Sequence, residues 1–267
     1  MRLKAHAKIN LSLRVLSKRP DGFHSIESVM QSVSLCDGIT LSLCPSGIEV
    51  TSSDPALPSG KENLAYRAAE LFLNGKAGVS IHIEKRIPMA AGLAGGSADA
   101  AAVIFGLNQL SDPGVQLSDV ELLKLAARIG SDVPFCLTGG TCLVRGRGEI
   151  IEPLLPWPKT YFVLVCPDVS IQTKWAYAEF DRLGLNPGGE IKNDLEPIAI
   201  SKYPVVSEIK AKLLKLGCAA AQMSGSGSSV FGTTRDQREA EKIFARIKDD
   251  YPRSFLVETA AKGVEMI

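Results

Sequence analysis

Hydrophobic and polar residues alternate with a period of two over residues 8–15 and 79–83, which predicts half-buried strands. Residues 28–43 offer further strand material, and we expect a break in it around residues 36–38. Between these segments, apolar residues recur at helical spacing and predict a helix over residues 62–73. The first hundred residues are therefore expected to form mainly strands.

A glycine-rich loop at residues 90–96 precedes a predicted alanine-rich helix over residues 97–110. A second helix is predicted over residues 118–129, where Ser118 and Glu121 have the spacing of a capping box. The loop and the two helices mark the end of the strand-rich region.

Three prolines within residues 153–158 mark the best domain boundary, so residues 1–155 and 156–267 are expected to form two domains. Strands and helices are both predicted in the second domain. The strands are expected at residues 161–166, 229–232 and 254–258, and the helices at residues 173–183, 205–216 and 236–249. The whole pattern predicts an α+β protein in two parts.

Composition narrows the function classes. The 267 residues carry a net charge of +1, which gives no overall basic field of the kind that binds nucleic acids. The sequence contains neither a secretory-type segment nor a suitable membrane span. The six cysteines show no CxxC spacing and the three histidines no metal-type spacing. We expect a cytoplasmic protein with reduced cysteines, no structural zinc, and no nucleic-acid or membrane partner.

Residues 88–99 read Pro-Met-Ala-Ala-Gly-Leu-Ala-Gly-Gly-Ser-Ala-Asp and form the most informative segment. Glycines allow backbone amides to curl around an anion, and the N-terminus of the following helix favours negative charge at the same place. Tight packing of the turn is the alternative explanation. Neither the P-loop, which needs a lysine, nor the dinucleotide fingerprint, which needs another glycine spacing, matches.

This segment resembles the phosphate loop of the GHMP kinase family (galactose, homoserine, mevalonate and phosphomevalonate kinases). The Gly/Ser loop at residues 223–229 resembles a second motif of that family, which approaches the nucleotide phosphates from the second domain. The resemblance implies a two-domain GHMP kinase fold. Its N-terminal domain would be like domain 2 of ribosomal protein S5 and its C-terminal domain a ferredoxin-like α/β sandwich, with the active site in the cleft between them.

Four further segments, residues 7–11, 18–24, 130–135 and 192–197, resemble one branch of the family. Its members phosphorylate the 2-hydroxyl of a cytidine diphosphate-linked methylerythritol in the non-mevalonate route to isoprenoids. The similarity runs from about residue 4 to residue 263 without a large insertion. It implies ATP and Mg²⁺ as cofactors and this small molecule as substrate, for a monomer or a homodimer.

The resemblance assigns catalytic roles to Lys8 and Asp132. Asp132 would act on the substrate hydroxyl, either as the base or as an orienting group, and Lys8 would stabilise the developing charge and the γ-phosphate. Asn10 lies two residues after Lys8 on the same strand face and is expected to orient substrate or phosphate.

The cytidine base needs aromatic faces and a polar partner for its edge. The resemblance gives stacking to Phe23, where family members often carry tyrosine, and contact with the base edge to His24. Tyr177 would close the other face, with Trp175 as a competing candidate, and Thr173 completes the substrate-binding set.

For the nucleotide, the resemblance implies contacts from the first loop, the start of the following helix and one residue of an earlier helix. The ATP-binding candidates are Pro88, Met89, Ala90, Ala91, Gly92, Leu93, Ala94, Gly95, Gly96, Ser97, Ala98 and Asn63. The candidates in the second loop are Gly225, Ser226 and Gly227. Ala98 stands where many family members have a serine, so no protein side chain is assigned to Mg²⁺, whose contacts would be mostly water and phosphate.

Two alternatives stay open. Another GHMP kinase, acting on mevalonate, homoserine or a sugar, would share the loops but would have no use for Phe23 and His24. A non-catalytic, nucleic-acid-associated protein would require clustered basic residues and a dispensable Asp132. A serine hydrolase is excluded because the sequence has no Gly-x-Ser-x-Gly elbow.

Overall fold

Strands β1 (Arg2–Asn10) and β3 (His24–Cys44) pair antiparallel at the centre of the first sheet. The computed structural model describes residues 1–75, 77–184 and 192–267, and within these residues the sheet has eight strands. The others are β2 (Arg14–Lys18), β4 (Ile48–Ser52), β5 (Gly78–Glu84), β6 (Thr141–Gly146), β7 (Ile150–Pro153) and β12 (Val264–Met266). β12 pairs with β1, so the end of the chain returns to the first sheet.

The first half contains four helices; three of them contact this sheet, and the third in chain order packs on the other helices. They are α1 (Leu64–Leu73), α2 (Gly95–Leu110), α3 (Asp119–Ile129) and α4 (Val133–Thr138). The alanines of α2 are buried, and small side chains allow its backbone to approach β1 and β3 closely. A Cβ on Gly106 would lie 2.4 Å from Leu41 Cδ1 and 2.7 Å from Leu3 Cδ1, which shows how closely α2 approaches the strands.

The second sheet has the strand order and connections of a ferredoxin-like fold. Its antiparallel strands lie in the order β11 (Ser254–Glu258), β8 (Tyr161–Val165), β10 (Val230–Thr234) and β9 (Ala220–Met223). The helices of this half are α5 (Thr173–Leu183), α6 (Glu196–Lys202), α7 (Val205–Lys215) and α8 (Gln237–Ile247). The predicted α+β class is confirmed. The predicted boundary between residues 155 and 156 stays a prediction; β7 ends at Pro153 and β8 begins at Tyr161.

All six predicted helices are confirmed to within two residues at either end. The capping box of α3 is present, because Ser118 accepts from the Glu121 amide and Glu121 accepts from the Ser118 amide. The helix predicted at residues 62–73 begins at Leu64, since Asn63 caps it by accepting from the Ala65 amide at 2.8 Å.

The prediction of one strand over residues 8–15 is wrong. β1 begins at Arg2 and ends at Asn10, and β2 starts only at Arg14. The amides of Leu11 and Ser12 both donate to the Val29 carbonyl, which bends the chain out of the regular ladder. The alternation was therefore a poor guide to the strand ends, since residues 5–10 are buried on both faces.

The predicted break at residues 36–38 is also wrong, because β3 runs through it without interruption. The Asp37 carboxylate is fully buried and accepts hydrogen bonds from the Arg86 and Ile87 amides at 2.6 and 2.8 Å. Gly38 pairs with Lys4 on one side and Glu84 on the other. An Asp-Gly pair thus stays extended here because tertiary partners satisfy the aspartate.

Candidate active site

A cavity of about 1140 Å³ opens between the two sheets and is lined by residues of both halves of the chain. All predicted site residues except Leu93 and Ala98 line it. They are Lys8, Asn10, Phe23, His24, Asn63, Pro88, Met89, Ala90, Ala91, Gly92, Ala94, Gly95, Gly96, Ser97, Asp132, Thr173, Tyr177, Gly225, Ser226 and Gly227. The fold therefore brings together residues from distant parts of the sequence.

The first turn of α2 faces this cavity. No side chain caps it, because the N-cap is Ala94, which has a left-handed φ of 58°. Gly95, Gly96 and Ser97 follow and line the cavity. The first backbone amides of a helix have no partner within the helix, so this turn offers donors and a positive dipole end to an anion.

Leu93 and Ala98 lie outside the cavity. The side chain of Leu93 is in the main core, where the residue is 1% exposed, and Ala98 is completely buried on the inner face of α2. Leu93 contributes through its backbone, because its carbonyl accepts from the Lys8 amide at 3.1 Å. This hydrogen bond ties the glycine loop to β1.

Lys8 and Asp132 approach each other in the lining of the cavity. The Lys8 Nζ lies 3.5 Å from Asp132 Oδ2 and donates to Asn10 Oδ1 at 2.7 Å. Asn10 in turn donates to the Ser28 hydroxyl at 2.8 Å. Lys8 is 4% exposed, whereas Asp132, just before α4, retains access to solvent. A fixed ammonium therefore lies beside an accessible carboxylate.

The second loop lies directly against the first. The Ser224 hydroxyl donates to the Gly92 carbonyl at 3.1 Å and accepts from the Asn10 amide at 3.2 Å. A Cβ on Gly92 would lie only 2.5 Å from the Ser224 carbonyl oxygen, so the two loops could not be this close with another residue there. Asn193 supports the second loop by donating to the Met223 and Gly225 carbonyls, both at 2.9 Å.

Phe23 and His24 line the same cavity. The Phe23 ring is 49% exposed, and the Arg147 guanidinium lies over it, 5.3 Å from the ring centroid. The His24 imidazole stacks on Tyr177, with ring centroids 5.1 Å apart. Burial, with a smaller contribution from the charge of Asp132, raises the pKa of the Tyr177 phenol. Phe23, His24 and Tyr177 all line the cavity, and we call this part of its lining the aromatic wall.

Trp175, the competing candidate, does not line the cavity. Its ring packs edge-on against Tyr203 at 6.0 Å between centroids, under the ammonium of Lys202. Thr173 does line the cavity, and its hydroxyl hydrogen-bonds with that of Ser226 at 2.9 Å. The side chain of Asn63 is engaged locally, because it caps α1 and donates to the Pro58 carbonyl.

Sequence reasoning missed a buried ionic cluster beneath the glycine loop. Lys85 lines the cavity, forms an ion pair with Asp37 and contacts Asp99 at 3.1 Å. A Cβ on Gly95 would lie 2.9 Å from the Lys85 Nζ. Burial raises the pKa of Asp99 well above its ordinary value, although the Lys85 charge opposes this. The position of Lys85 shortly before the candidate phosphate loop could have indicated this cluster.

Arg147 and Asp181 were missed as well, although both line the cavity. Asp181 binds His24, and its position four residues after Tyr177 places both on one helix face, which was a usable signal. Arg147 lies in a Gly-Arg-Gly turn, and only the tertiary structure shows that this turn reaches Phe23.

Among residues 1–75, 77–184 and 192–267, no cluster of three or more His, Cys, Asp or Glu side chains is arranged to hold a metal ion. None of the helices in this described part of the chain is long and apolar enough to cross a membrane.

Sequence and structure comparisons point to one family. The model of the GHMP kinases N terminal domain matches residues 63–140, and that of the GHMP kinases C terminal domain matches residues 179–253. The chain is 44% identical to a 4-diphosphocytidyl-2-C-methyl-D-erythritol kinase of Syntrophomonas wolfei, over 96% of this chain and 97% of that protein. A protein of the same name from Pelotomaculum thermopropionicum is 45% identical, over 91% and 92% of the two chains.

Solved structures agree. A crystal structure of a 4-(cytidine 5'-diphospho)-2C-methyl-D-erythritol kinase superposes with a TM-score of 0.80 at 33% identity, over 97% of this chain and 99% of that one. A homoserine kinase from Cytophaga hutchinsonii has a TM-score of 0.74 at 20% identity, over 100% and 97% of the two chains, and shares the fold.

Proposed function

The chain belongs to the 4-diphosphocytidyl-2-C-methyl-D-erythritol kinases of the GHMP kinase family, and on this premise we propose its reaction. It transfers the γ-phosphate of ATP to the 2-hydroxyl of 4-diphosphocytidyl-2-C-methyl-D-erythritol, a step of the non-mevalonate route to isoprenoid precursors. We also propose that it works in the cytoplasm as a monomer or homodimer, without a nucleic-acid or membrane partner.

The observation that carries this proposal is the position of the uncapped first turn of α2. Gly95, Gly96 and Ser97 line the same cavity as Lys8 and Asp132. A nucleotide with its phosphates on these amides would be close to the ammonium and the carboxylate that phosphoryl transfer to an alcohol requires.

The chemistry follows from the Lys8–Asp132 pair. Asp132 accepts the proton of the substrate hydroxyl, or orients that hydroxyl, as the oxygen attacks phosphorus. Lys8 stabilises the negative charge on the attacking oxygen and the transferred phosphoryl group. Asn10 holds the ammonium in place through its 2.7 Å hydrogen bond, so little rearrangement accompanies the reaction.

The family also implies Mg²⁺, and the residues present fit it. Ser97 and Asp132 line the cavity with oxygen donors, the ligand type that Mg²⁺ prefers, while the buried Ala98 offers none. Ser97 would hold the ion together with phosphate oxygens and water, which leaves Asp132 free to act on the substrate hydroxyl. When bound, Mg²⁺ neutralises charge on the phosphates.

The cytidine end of the substrate is assigned to the aromatic wall. Phe23 offers an exposed ring for stacking, and His24 and Tyr177 line the cavity beside it. Because the imidazole already covers part of one Tyr177 face, the base would stack on the remaining aromatic surface and meet His24 at its edge.

A coupled assay of ADP release tests the proposal. Purified protein with ATP and Mg²⁺ should turn over the cytidyl substrate and give no comparable rate with mevalonate, homoserine or galactose. Turnover of one of these alcohols in its place would assign the chain to another GHMP kinase activity. Absence of ADP release with every alcohol, together with binding to nucleic acid, would favour the non-catalytic alternative.

A further inference from the structure

His24 is held by a carboxylate from the other half of the chain. Its Nε2 lies 2.6 Å from Asp181 Oδ1, and the second oxygen of Asp181 accepts from Lys18 Nζ at 2.7 Å. Lys18 and His24 flank the turn between β2 and β3, whereas Asp181 is on the last turn of α5. The carboxylate therefore fixes the imidazole from across the cavity.

The contact determines which ring nitrogen carries the proton. An ionised carboxylate only accepts hydrogen bonds, so in the neutral ring Nε2 must be the donor and Nδ1 the bare acceptor. The hydrogen bonds from Lys18 and then from His24 lower the pKa of Asp181, which keeps the carboxylate ionised. Asp181 thus specifies one of the two neutral tautomers.

The remaining nitrogen is available to a ligand. Nδ1 makes no hydrogen bond within the described residues, yet it is not among their fully buried unpartnered atoms. His24 lines the cavity, and stacking on Tyr177 fixes the plane of its ring. A planar base that meets Nδ1 at its edge would lie in the imidazole plane, nearly parallel to the Tyr177 ring.

We propose that Asp181 is a positioning residue that holds His24 with a bare Nδ1, and that this nitrogen selects cytosine over uracil. The inference rests on the proposed function, since it concerns the base of the proposed substrate. Cytosine presents an amino donor at its 4-position, which an acceptor can bind. Uracil presents a carbonyl oxygen at that position, so two acceptors would face each other unpaired.

Calorimetric titration with cytidine 5'-diphosphate and uridine 5'-diphosphate tests this without requiring turnover. The wild type should bind the cytidine nucleotide about tenfold more tightly or better, as expected from one well-placed base contact. Asp181→Ala should reduce this ratio to about threefold or less, because the imidazole can then adopt either tautomer. The ratio cancels the effect of the lost negative charge, which acts equally on both diphosphates.

Glu179→Gln is the matched control, because Glu179 is on the same helix, pairs with Arg182 and does not line the cavity. It should retain the wild-type ratio. A wild type that binds both nucleotides equally, or an Asp181→Ala variant that keeps the full preference, would overturn the inference.

Nitrogen NMR of ¹⁵N-histidine-labelled wild-type protein reports the tautomer of His24 directly, and a variant is needed only to assign the signals. Only three histidines are present, so His24 can be assigned by its loss in His24→Gln. At a pH where the ring is neutral, Nε2 should carry the proton and Nδ1 should not; the opposite tautomer would refute the proposal. Turnover of the cytidyl substrate is measured in a separate assay. Failure of the proposed function can therefore be distinguished from failure of the inference about Asp181.

Discussion

The Lys8 Nζ lies 3.5 Å from Asp132 Oδ2, which joins the end of the first strand to the start of a short helix late in the first half of the chain. Both residues line the cavity together with the uncapped first turn of α2. This arrangement places a buried cation, an accessible carboxylate and an anion-binding turn around one space, and it underlies the following predictions.

Asp132→Asn should lower kcat by a factor of about 10² to 10⁴, because the amide cannot accept the hydroxyl proton. Lys8→Ala should abolish measurable turnover, since the developing charge loses its ammonium. Thermal unfolding should show that both variants remain folded. Asp168→Asn is the control, because Asp168 is an exposed partner of Arg253 away from the cavity. Near-normal kcat in either site variant would remove that residue from the mechanism.

Gly92→Ala should weaken the contact between the two loops. The added Cβ would meet the Ser224 carbonyl at 2.5 Å, and the φ of 77° already disfavours alanine. We expect a loss of about 1–3 kcal/mol in the free energy of unfolding and a raised KM for ATP. Denaturant unfolding and initial-rate kinetics provide the two measurements.

Gly47→Ala is the control for Gly92→Ala, because it separates the cost of backbone strain from the cost of the clash between the two loops. Gly47 has a similar φ of 84°, but nothing lies within 4 Å of its added Cβ. It should therefore show the backbone strain alone and leave the KM for ATP unchanged. Equal effects of both substitutions would show that loop contact at Gly92 is unimportant.

Arg147→Ala should raise the KM for the cytidyl substrate roughly two- to fivefold, because Phe23 loses the cation that covers its ring. The KM for ATP should stay unchanged, since the contact is on the aromatic wall. Arg145→Ala is a matched control on the same hairpin, where the arginine pairs with Glu27 and Glu152 outside the cavity. If both variants behave alike, the contact with Phe23 contributes nothing to substrate binding.

Lys85→Met should destabilise the protein by about 3–5 kcal/mol, because the buried carboxyl groups of Asp37 and Asp99 would lose their positive partner. The loss should depend on pH. Burial raises the pKa of Asp99, so its folded form favours the proton, and without Lys85 this preference becomes stronger.

The sign of that pH dependence follows from linkage. When the pKa of a carboxyl group is higher in the folded than in the unfolded protein, the folded protein loses stability as the pH rises above the ordinary pKa of that group, here 3.8. The stability difference between Lys85→Met and wild type should therefore be smaller at about pH 5 than at about pH 8. Urea unfolding at the two values measures it, and a difference that shrinks at the higher pH would contradict the assignment. Lys61→Met, which removes only an exposed pair with Glu70, should change little.

Local patterns in the sequence determined much of the fold. Helical spacing and caps located α1, α3, α5 and α8, because these signals lie within one or two turns of chain. The glycine spacing at residues 92–96 identified the phosphate loop, and the motifs around Lys8, His24 and Asp132 identified the family. Each of these features can be recognised in a short segment.

Only the tertiary structure decided the strand boundaries and the contacts within the cavity. β3 stays extended at Asp37 because amides some fifty residues away satisfy its carboxylate. Likewise, Ser224 reaches Gly92, and Asp181 reaches His24, because strand pairing and helix packing bring distant segments together. Hydrophobic periodicity indicates which face of a helix or strand is buried, but it does not identify the partner that covers that face. The pairing of side chains across the cavity therefore follows from the folded arrangement of the two sheets.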